Sequence, residues 1–217
     1  QELDPENRLL ARGPSARLTA EMLRDNALAA SGLLNKKIGG RSIFPYQPDG
    51  LWEINSMAYP QDTTDELYRR GLYVVVKRSV PNPTLGTFDA GERSSCVSRR
   101  QKTMSPAQAL VMMNDPTYLE AAKVLALSIS GVSDPEQQIQ LMYRRLTARR
   151  LPANEMSLLK TLREQQLVKF RAAPEKMKGW LNAGMYKITG EADLPTVAAN
   201  TVVANVIMNT DATLTKR

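Results

Sequence analysis

Three motifs in the second half of the chain place a helix-capping residue directly before a proline. They are Ser105-Pro106, Asp115-Pro116 and Asp134-Pro135. A Ser or Asp side chain accepts a hydrogen bond from the first turn of a helix, and proline suits the first helical position because it has no N–H to leave unbonded. Each motif therefore predicts the start of a helix. In the first of these helices, Gln108 is expected to complete a capping box.

Helical spacing of apolar residues continues this pattern through residues 104–217. The helix after Pro116 is expected to run to about Ile129, the one after Pro135 covers QQIQLMYRRLTAR, and two more are predicted in LPANEMSLLKTLREQQLVKF and TVAANTVVANVIMN. One earlier helix is predicted in LTAEMLRDNALAASGLL, with Thr19 as its N-cap. These elements predict a mainly α fold whose second half is a helical array with short connections.

Residues 1–103 are expected to combine the earlier helix with long loops. Residues 38–63 are rich in glycine and proline but also hold four aromatic residues: Phe44, Tyr46, Trp52 and Tyr59. Disordered linkers rarely contain so many aromatic residues, which predicts an ordered loop. The next stretch, DELYRRGLYVVVKRSV, fits either a helix or a strand, and we favour the helix. Residues 1–217 are predicted to form a single, irregular helical domain.

The chain contains no histidine and one cysteine, Cys96. Covalent haem attachment through C-x-x-C-H and zinc binding by Cys and His clusters need residues that this chain lacks, so we predict no cofactor within it. Histidine-based acid–base catalysis is excluded for the same reason. Without a histidine base we expect Cys96 to be a buried small hydrophobic residue, with a redox-sensitive thiol as the alternative.

Two pairs of carboxylates have the right chemistry for acid–base catalysis: Asp62 with Asp65, and Asp89 with Glu92. Their spacing matches no catalytic pattern. They leave a hydrolase-like enzyme of unknown substrate as one alternative function.

Basic residues outnumber acidic ones by 29 to 22, which gives a net charge of +7. They occur mainly as scattered pairs, including Arg69-Arg70 and Arg99-Arg100, and Lys102 follows the second pair. Such a charge favours anionic partners. We do not expect nucleic acid, because no nucleic-acid-binding module accompanies the charge. No apolar stretch approaches the roughly 20 residues that cross a bilayer, so no transmembrane segment is predicted.

Two roles are open to Arg99, Arg100 and Lys102, which lie just before a capped helix. Cations beside a helix N-terminus can bind a phosphate, sulfate or carboxylate group, which predicts binding of an anionic ligand or polysaccharide. The arginines can instead pair with acidic side chains of the same region and anchor its loops. The expected partners are Asp89, Glu92 and Asp115. We favour loop anchoring.

A series of motifs appears in order along the middle of the chain. They are Tyr68-Arg69-Arg70, Lys77-Arg78, Pro81, Phe88-Asp89, Cys96, Arg99-Arg100, Pro106-Ala107-Gln108-Ala109-Leu110 and Asn114-Asp115. Together they resemble a bacterial domain of unknown function that forms the C-terminal part of planctomycete-type cytochrome c proteins. The opening and closing helices are similar as well, so the resemblance covers nearly the whole chain. Val74-Val75-Val76 depart from it, since the family often has a large aromatic residue there.

The resemblance implies an exported protein, in the periplasm or on the cell surface. It places haem on a partner or on an N-terminal part outside this sequence, and it supplies no catalytic residues. We therefore predict a non-catalytic docking or scaffold domain in an exported, cytochrome-associated assembly that takes part in electron transfer. Its expected partners are other protein subunits, such as a c-type cytochrome or a membrane-associated complex.

Overall fold

Helices dominate the computed structural model, which describes residues 4–11, 13, 15–53, 58–91 and 93–216. The helices are α1 (Ala20–Ser31), α2 (Pro83–Thr87), α3 (Pro106–Asn114), α4 (Pro116–Ser128), α5 (Pro135–Thr147), α6 (Ala153–Ala172), α7 (Lys178–Leu181), α8 (Leu194–Met208) and α9 (Asp211–Leu214). Two strands, β1 (Ala16–Arg17) and β2 (Thr215–Lys216), pair antiparallel. The predicted mainly α fold is confirmed. Within the described residues, none of these helices combines the length and apolar character needed to cross a bilayer.

Three of the predicted capping residues start their helices as expected. Thr19, Asp115 and Asp134 each accept a hydrogen bond from a backbone N–H in the first turn of α1, α4 and α5. Proline occupies the first position of both α4 and α5. The local sequence therefore sets where these helices begin.

The capping box predicted for α3 does not form. Ser105 lies at the N-cap position but makes no side-chain capping bond to the described backbone. Gln108 is buried, and its Nε2 donates to the carbonyl oxygen of Thr87 at 2.9 Å and to that of Thr103 at 3.3 Å. The prediction was wrong because Gln108 holds the preceding loop onto α3 instead of bonding back to the helix start.

α8 runs through the middle of the helical array and packs against α4, α5 and α6. Of its 15 residues, 11 are buried. Alanine and valine make up most of the buried face, which lets neighbouring helices approach closely. The main apolar core extends from Ala20 on α1 to Met208 on α8, and a smaller one joins α8 to Phe170 and Met177.

The predicted aromatic loop folds around its own rings. Phe44, Trp52 and Tyr59 pack edge to face, with ring centroids between 5.1 and 5.8 Å apart. Such pairs add to the stabilisation from apolar burial. Lys77 places its Nζ atom 4.0 Å from the centroid of the Trp52 ring. The fourth aromatic residue, Tyr46, points to α4 instead.

The helix that we favoured for residues 65–80 is absent from this described stretch. The chain makes two short 3-10 turns, Asp65–Tyr68 and Gly71–Tyr73, and the backbone at Val74 is extended and bridges Ile43 in parallel. At Gly71 a Cβ atom would lie 2.9 Å from the Cα atom of Glu21 on α1. This close approach leaves room only for glycine at position 71. The predicted helix does not form because the backbone of Tyr73 and Val75 bonds to that of Ile43 instead of within a helix.

Candidate functional site

Arg69, one of the candidate anion-binding residues, is fully buried and holds a loop. Its guanidinium donates to the carbonyl oxygens of Arg41 at 2.9 Å and Lys37 at 3.4 Å, and also to that of Gly39. The group lies 3.9 Å above the centroid of the Tyr73 ring, within range of a cation–π contact. The side chain is therefore occupied by contacts within the protein.

Arg70 and Arg100 join the N-terminal loops to α1. Arg70 Nε donates to the carboxylate of Asp25 at 3.4 Å. Arg100 Nη1 donates to both carboxylate oxygens of Glu21, at 2.8 and 2.9 Å. Both pairs are partly exposed, so each contributes little stability but sets the position of a loop.

The partners predicted for Arg99 and Arg100 have other roles. Asp89 accepts bonds from the backbone N–H and the hydroxyl group of Thr103, at 2.7 and 2.9 Å. Asp115 caps α4 and accepts a bond from the hydroxyl group of Thr84. Glu92 lies outside the described residues. The sequence could not show that the acidic partner of Arg100 is Glu21 on α1, which lies 79 residues earlier in the chain.

Residues 93–107 form a continuous stretch in which every residue is exposed, here called the exposed segment. It is held by the Asp89–Thr103 bonds near one end and by the Arg100–Glu21 pair near its middle. Arg99 and Lys102 extend from it, and neither forms an ion pair with a described residue. Val97 and Met104 add apolar side chains that are 63% and 84% exposed.

Cys96 lies within the exposed segment, and its thiol is free and exposed. The expectation that it is a buried hydrophobic residue was therefore wrong, because no described helix covers this stretch of chain. An exposed thiol is accessible to oxidants and modifying reagents.

Asp62 and Asp65, one of the carboxylate pairs considered for catalysis, each bond to different residues of the preceding loops. Asp62 is buried and accepts bonds from the backbone N–H of Phe44 at 2.8 Å and from the guanidinium of Arg41. Asp65 is exposed and bonds the amide of Asn35 at 3.2 Å. These contacts fix loop conformations.

A polar network that the sequence analysis did not single out lies beneath the segment that follows α7. Glu120 on α4 is fully buried. Its Oε2 accepts a bond from the hydroxyl group of Tyr46 at 2.9 Å. Its Oε1 accepts bonds from the hydroxyl group of Tyr68 at 3.0 Å and from the backbone N–H of Tyr186 at 2.5 Å. Three donors therefore stabilise one buried carboxylate.

Lys123, one turn along α4, is also fully buried. Its ammonium group donates to the carbonyl oxygens of Leu181 at 3.2 Å, Ala183 at 2.7 Å and Tyr186 at 2.8 Å. Burial lowers the pKa of Lys123, and the nearby charge of Glu120 opposes that change. Because an ammonium group has three hydrogens, these carbonyls satisfy it completely.

Tyr46 and Tyr68 remain protonated at a pH well above the ordinary pKa of tyrosine. Burial raises the pKa of Tyr46 and of Tyr68, and the negative charge of Glu120 raises both further. The hydroxyl oxygen of Tyr46 also accepts a bond from the backbone N–H of Met185 at 2.7 Å. The network therefore acts as a structural clamp on residues 181–186. A clue in the sequence was the pair of charges inside the otherwise apolar YLEAAKVLA.

Among the described residues, no group of three or more His, Cys, Asp or Glu side chains is arranged to hold a metal ion.

A family model described as "PSD1: Protein of unknown function (DUF1553)" matches residues 1–163. No curated protein and no solved structure matches the chain.

Proposed function

The chain belongs to the PSD1 family, whose function is unknown, and on that premise we propose that it is a non-catalytic docking domain of an exported, cytochrome-associated assembly. In this proposal residues 1–217 fold as one unit in the periplasm or on the cell surface. The partner is another protein subunit that carries covalently bound haem. This chain binds that subunit and positions it for electron transfer.

The exposed segment is the observation that carries the docking role. It presents Arg99 and Lys102 beside the apolar side chains of Val97 and Met104. Protein interfaces combine apolar contacts with a polar, charged rim, and a charged rim speeds encounter with an oppositely charged partner. The segment therefore offers both kinds of contact on one accessible stretch.

A non-catalytic role is supported by the way the buried charges are used. A general acid or base needs an ionisable group within reach of a substrate proton. Glu120 and Lys123 are each bonded to three groups of the protein itself. Asp62 and Asp89 bind loop backbone in the same way.

The proposal is tested by purifying the tagged protein from its native host under mild conditions and measuring co-purifying c-type haem by absorbance. We expect haem in a fixed ratio to the wild-type protein, and about a tenfold loss in a variant with Arg99→Glu and Lys102→Glu. The control variant, with Lys169→Glu and Lys176→Glu, changes two exposed lysines elsewhere and has the same net charge. It should retain the haem.

Two results would contradict the proposal. Purification of the wild-type protein without any partner would remove the docking role. Purification with a partner that lacks haem would remove the cytochrome association and leave the docking role standing.

A further inference from the structure

A groove of about 690 Å³ lies between α1, the end of α5 and β2. Its apolar lining comes from α1 and the residues beside it, from α5 and from α9, and it includes Leu18, Met22, Leu34, Leu146 and Ala212. Met22 is 56% exposed although it lies on a helix of the core. The groove therefore presents apolar surface to solvent.

Cationic side chains surround this apolar lining. Four line the groove: Arg70, Arg145, Arg149 and Lys216. The acidic lining residue is Asp25, which already accepts bonds from Arg70 Nε and from the backbone N–H of Gly71. The groove thus has an excess of positive charge.

Three of these cations have no acidic partner among the described residues. Arg145 donates to the hydroxyl oxygen of Ser128 at 2.6 Å, which is a neutral acceptor. Neither Arg145, Arg149 nor Lys216 forms an ion pair with a described carboxylate. Three unpaired cations around one groove favour a ligand with several negative charges.

The groove adjoins another cavity beside α1. A second cavity of about 380 Å³ shares Asn26, Ala29 and Arg145 with it. An extended chain can therefore follow α1 past Arg145 and place successive side chains in both cavities. A single small anion would contact only part of this surface.

We propose that this groove binds an extended acidic segment of a partner protein. Its carboxylates pair with Arg145, Arg149 and Lys216, and an apolar side chain between them packs on Met22. An acidic polysaccharide would satisfy the cations but would leave the apolar lining without a matching group, so a peptide with alternating acidic and apolar residues fits better. The proposal depends neither on the exposed segment nor on association with a cytochrome.

The test uses a short fluorescein-labelled peptide in which Glu alternates with Leu and Ala, and follows its binding by fluorescence anisotropy. The wild-type protein should bind it, and more weakly as salt rises. A variant with Arg149→Glu and Lys216→Glu should bind at least about tenfold more weakly, because two attractive charges become repulsive. The variant with Lys169→Glu and Lys176→Glu has the same net charge and should retain the wild-type affinity. Circular dichroism checks that every variant is folded.

Two further measurements separate a peptide from other ligands. Met22→Ser should weaken binding of the peptide by about threefold through loss of apolar contact. Heparin fragments should compete poorly. Equal losses in both charge-reversal variants, equal binding of a peptide with Gln in place of Glu, or preferential binding of heparin would each overturn the proposal. So would the absence of peptide binding to the wild-type protein.

Discussion

Glu120 and Lys123 hold the backbone of one residue, Tyr186, from both sides. The N–H of Tyr186 donates to Glu120 Oε1 at 2.5 Å, and its carbonyl oxygen accepts from Lys123 Nζ at 2.8 Å. The two charged side chains lie three positions apart on α4, so one turn of this helix fixes the chain that follows α7.

Replacing Lys123 by methionine should lower the free energy of unfolding by about 3 kcal/mol, because Glu120 would remain buried without its neighbouring cation and three carbonyls would lose their donor. Urea denaturation measures the change, and proteolysis within residues 181–190 should become faster. The control is Lys187→Met, at an exposed lysine close in sequence. A loss no larger than that of the control would show that the clamp contributes little stability.

Gly184 and Gly190 provide a matched pair for the same segment. Both have positive φ, of 73° and 90°, but an added Cβ at Gly184 would lie 2.3 Å from Glu120 Cδ, whereas the described surroundings of Gly190 are open. Gly190→Ala should therefore cost about 1 kcal/mol, from backbone strain alone. Gly184→Ala should cost about 3 kcal/mol more, because Glu120 has to move. Equal changes in the urea midpoint would contradict the close packing.

Alkaline pH should destabilise the protein steeply above about pH 10. Burial raises the pKa of Tyr46, Tyr59, Tyr68 and Tyr118. Above the ordinary tyrosine pKa of about 10 the unfolded chain loses these protons and the folded protein keeps them. Stability therefore falls as pH rises, by about 1.4 kcal/mol per pH unit for each tyrosine.

Lys123 acts in the opposite direction. Its pKa is lowered in the folded protein, so between that pKa and the unfolded value of about 10.4 the unfolded state binds more protons and stability rises with pH. One lysine cannot offset four tyrosines at higher pH. Urea midpoints between pH 8 and 11.5 measure the effect, and Tyr46→Phe should reduce the alkaline slope. A slope unchanged by that substitution would exclude Tyr46 as a contributor.

Arg69→Lys should destabilise the loop region by about 2 kcal/mol, even though the charge is kept. A lysine cannot reproduce the planar set of bonds to the carbonyls of Arg41 and Gly39 or the same contact with the Tyr73 ring. The neighbouring Arg70→Lys, at a partly exposed pair, should change stability by less than about 0.5 kcal/mol. Hydrogen exchange of residues 37–43 distinguishes local loosening from global unfolding. Similar effects of the two substitutions would refute the anchoring role.

The parts of the fold that depend on local chemistry could be predicted. Asp115 and Asp134 start helices because the cap and the following proline act within a few residues. The region around Gly71 could not, since Tyr73 and Val75 bond to the backbone of Ile43, and this pairing exists only after the chain has folded. The pairing of β1 with β2 was missed because strands of two residues carry no periodic pattern.

The candidate site residues divide in the same way, because local motifs identified some of them but did not show their contacts with distant parts of the chain. Sequence motifs identified Arg69 and Arg100 as notable but could not show that one is buried against carbonyls and the other reaches Glu21. Glu120 and Lys123 were overlooked because a charged pair one turn apart is typical of a solvent-exposed helix face. The alanines around this pair favour a buried helix face, and a charged pair on such a face is expected to bond within the protein.

The position of α8 in the chain has a consequence for biosynthesis. Its buried face completes the packing of α4, α5 and α6, yet it is synthesised only after α1 to α7. Until then those three helices expose apolar surface that has no partner within the chain, and such surface promotes aggregation. A fragment ending before Leu194 should therefore be recovered in inclusion bodies and should depend on chaperones for solubility.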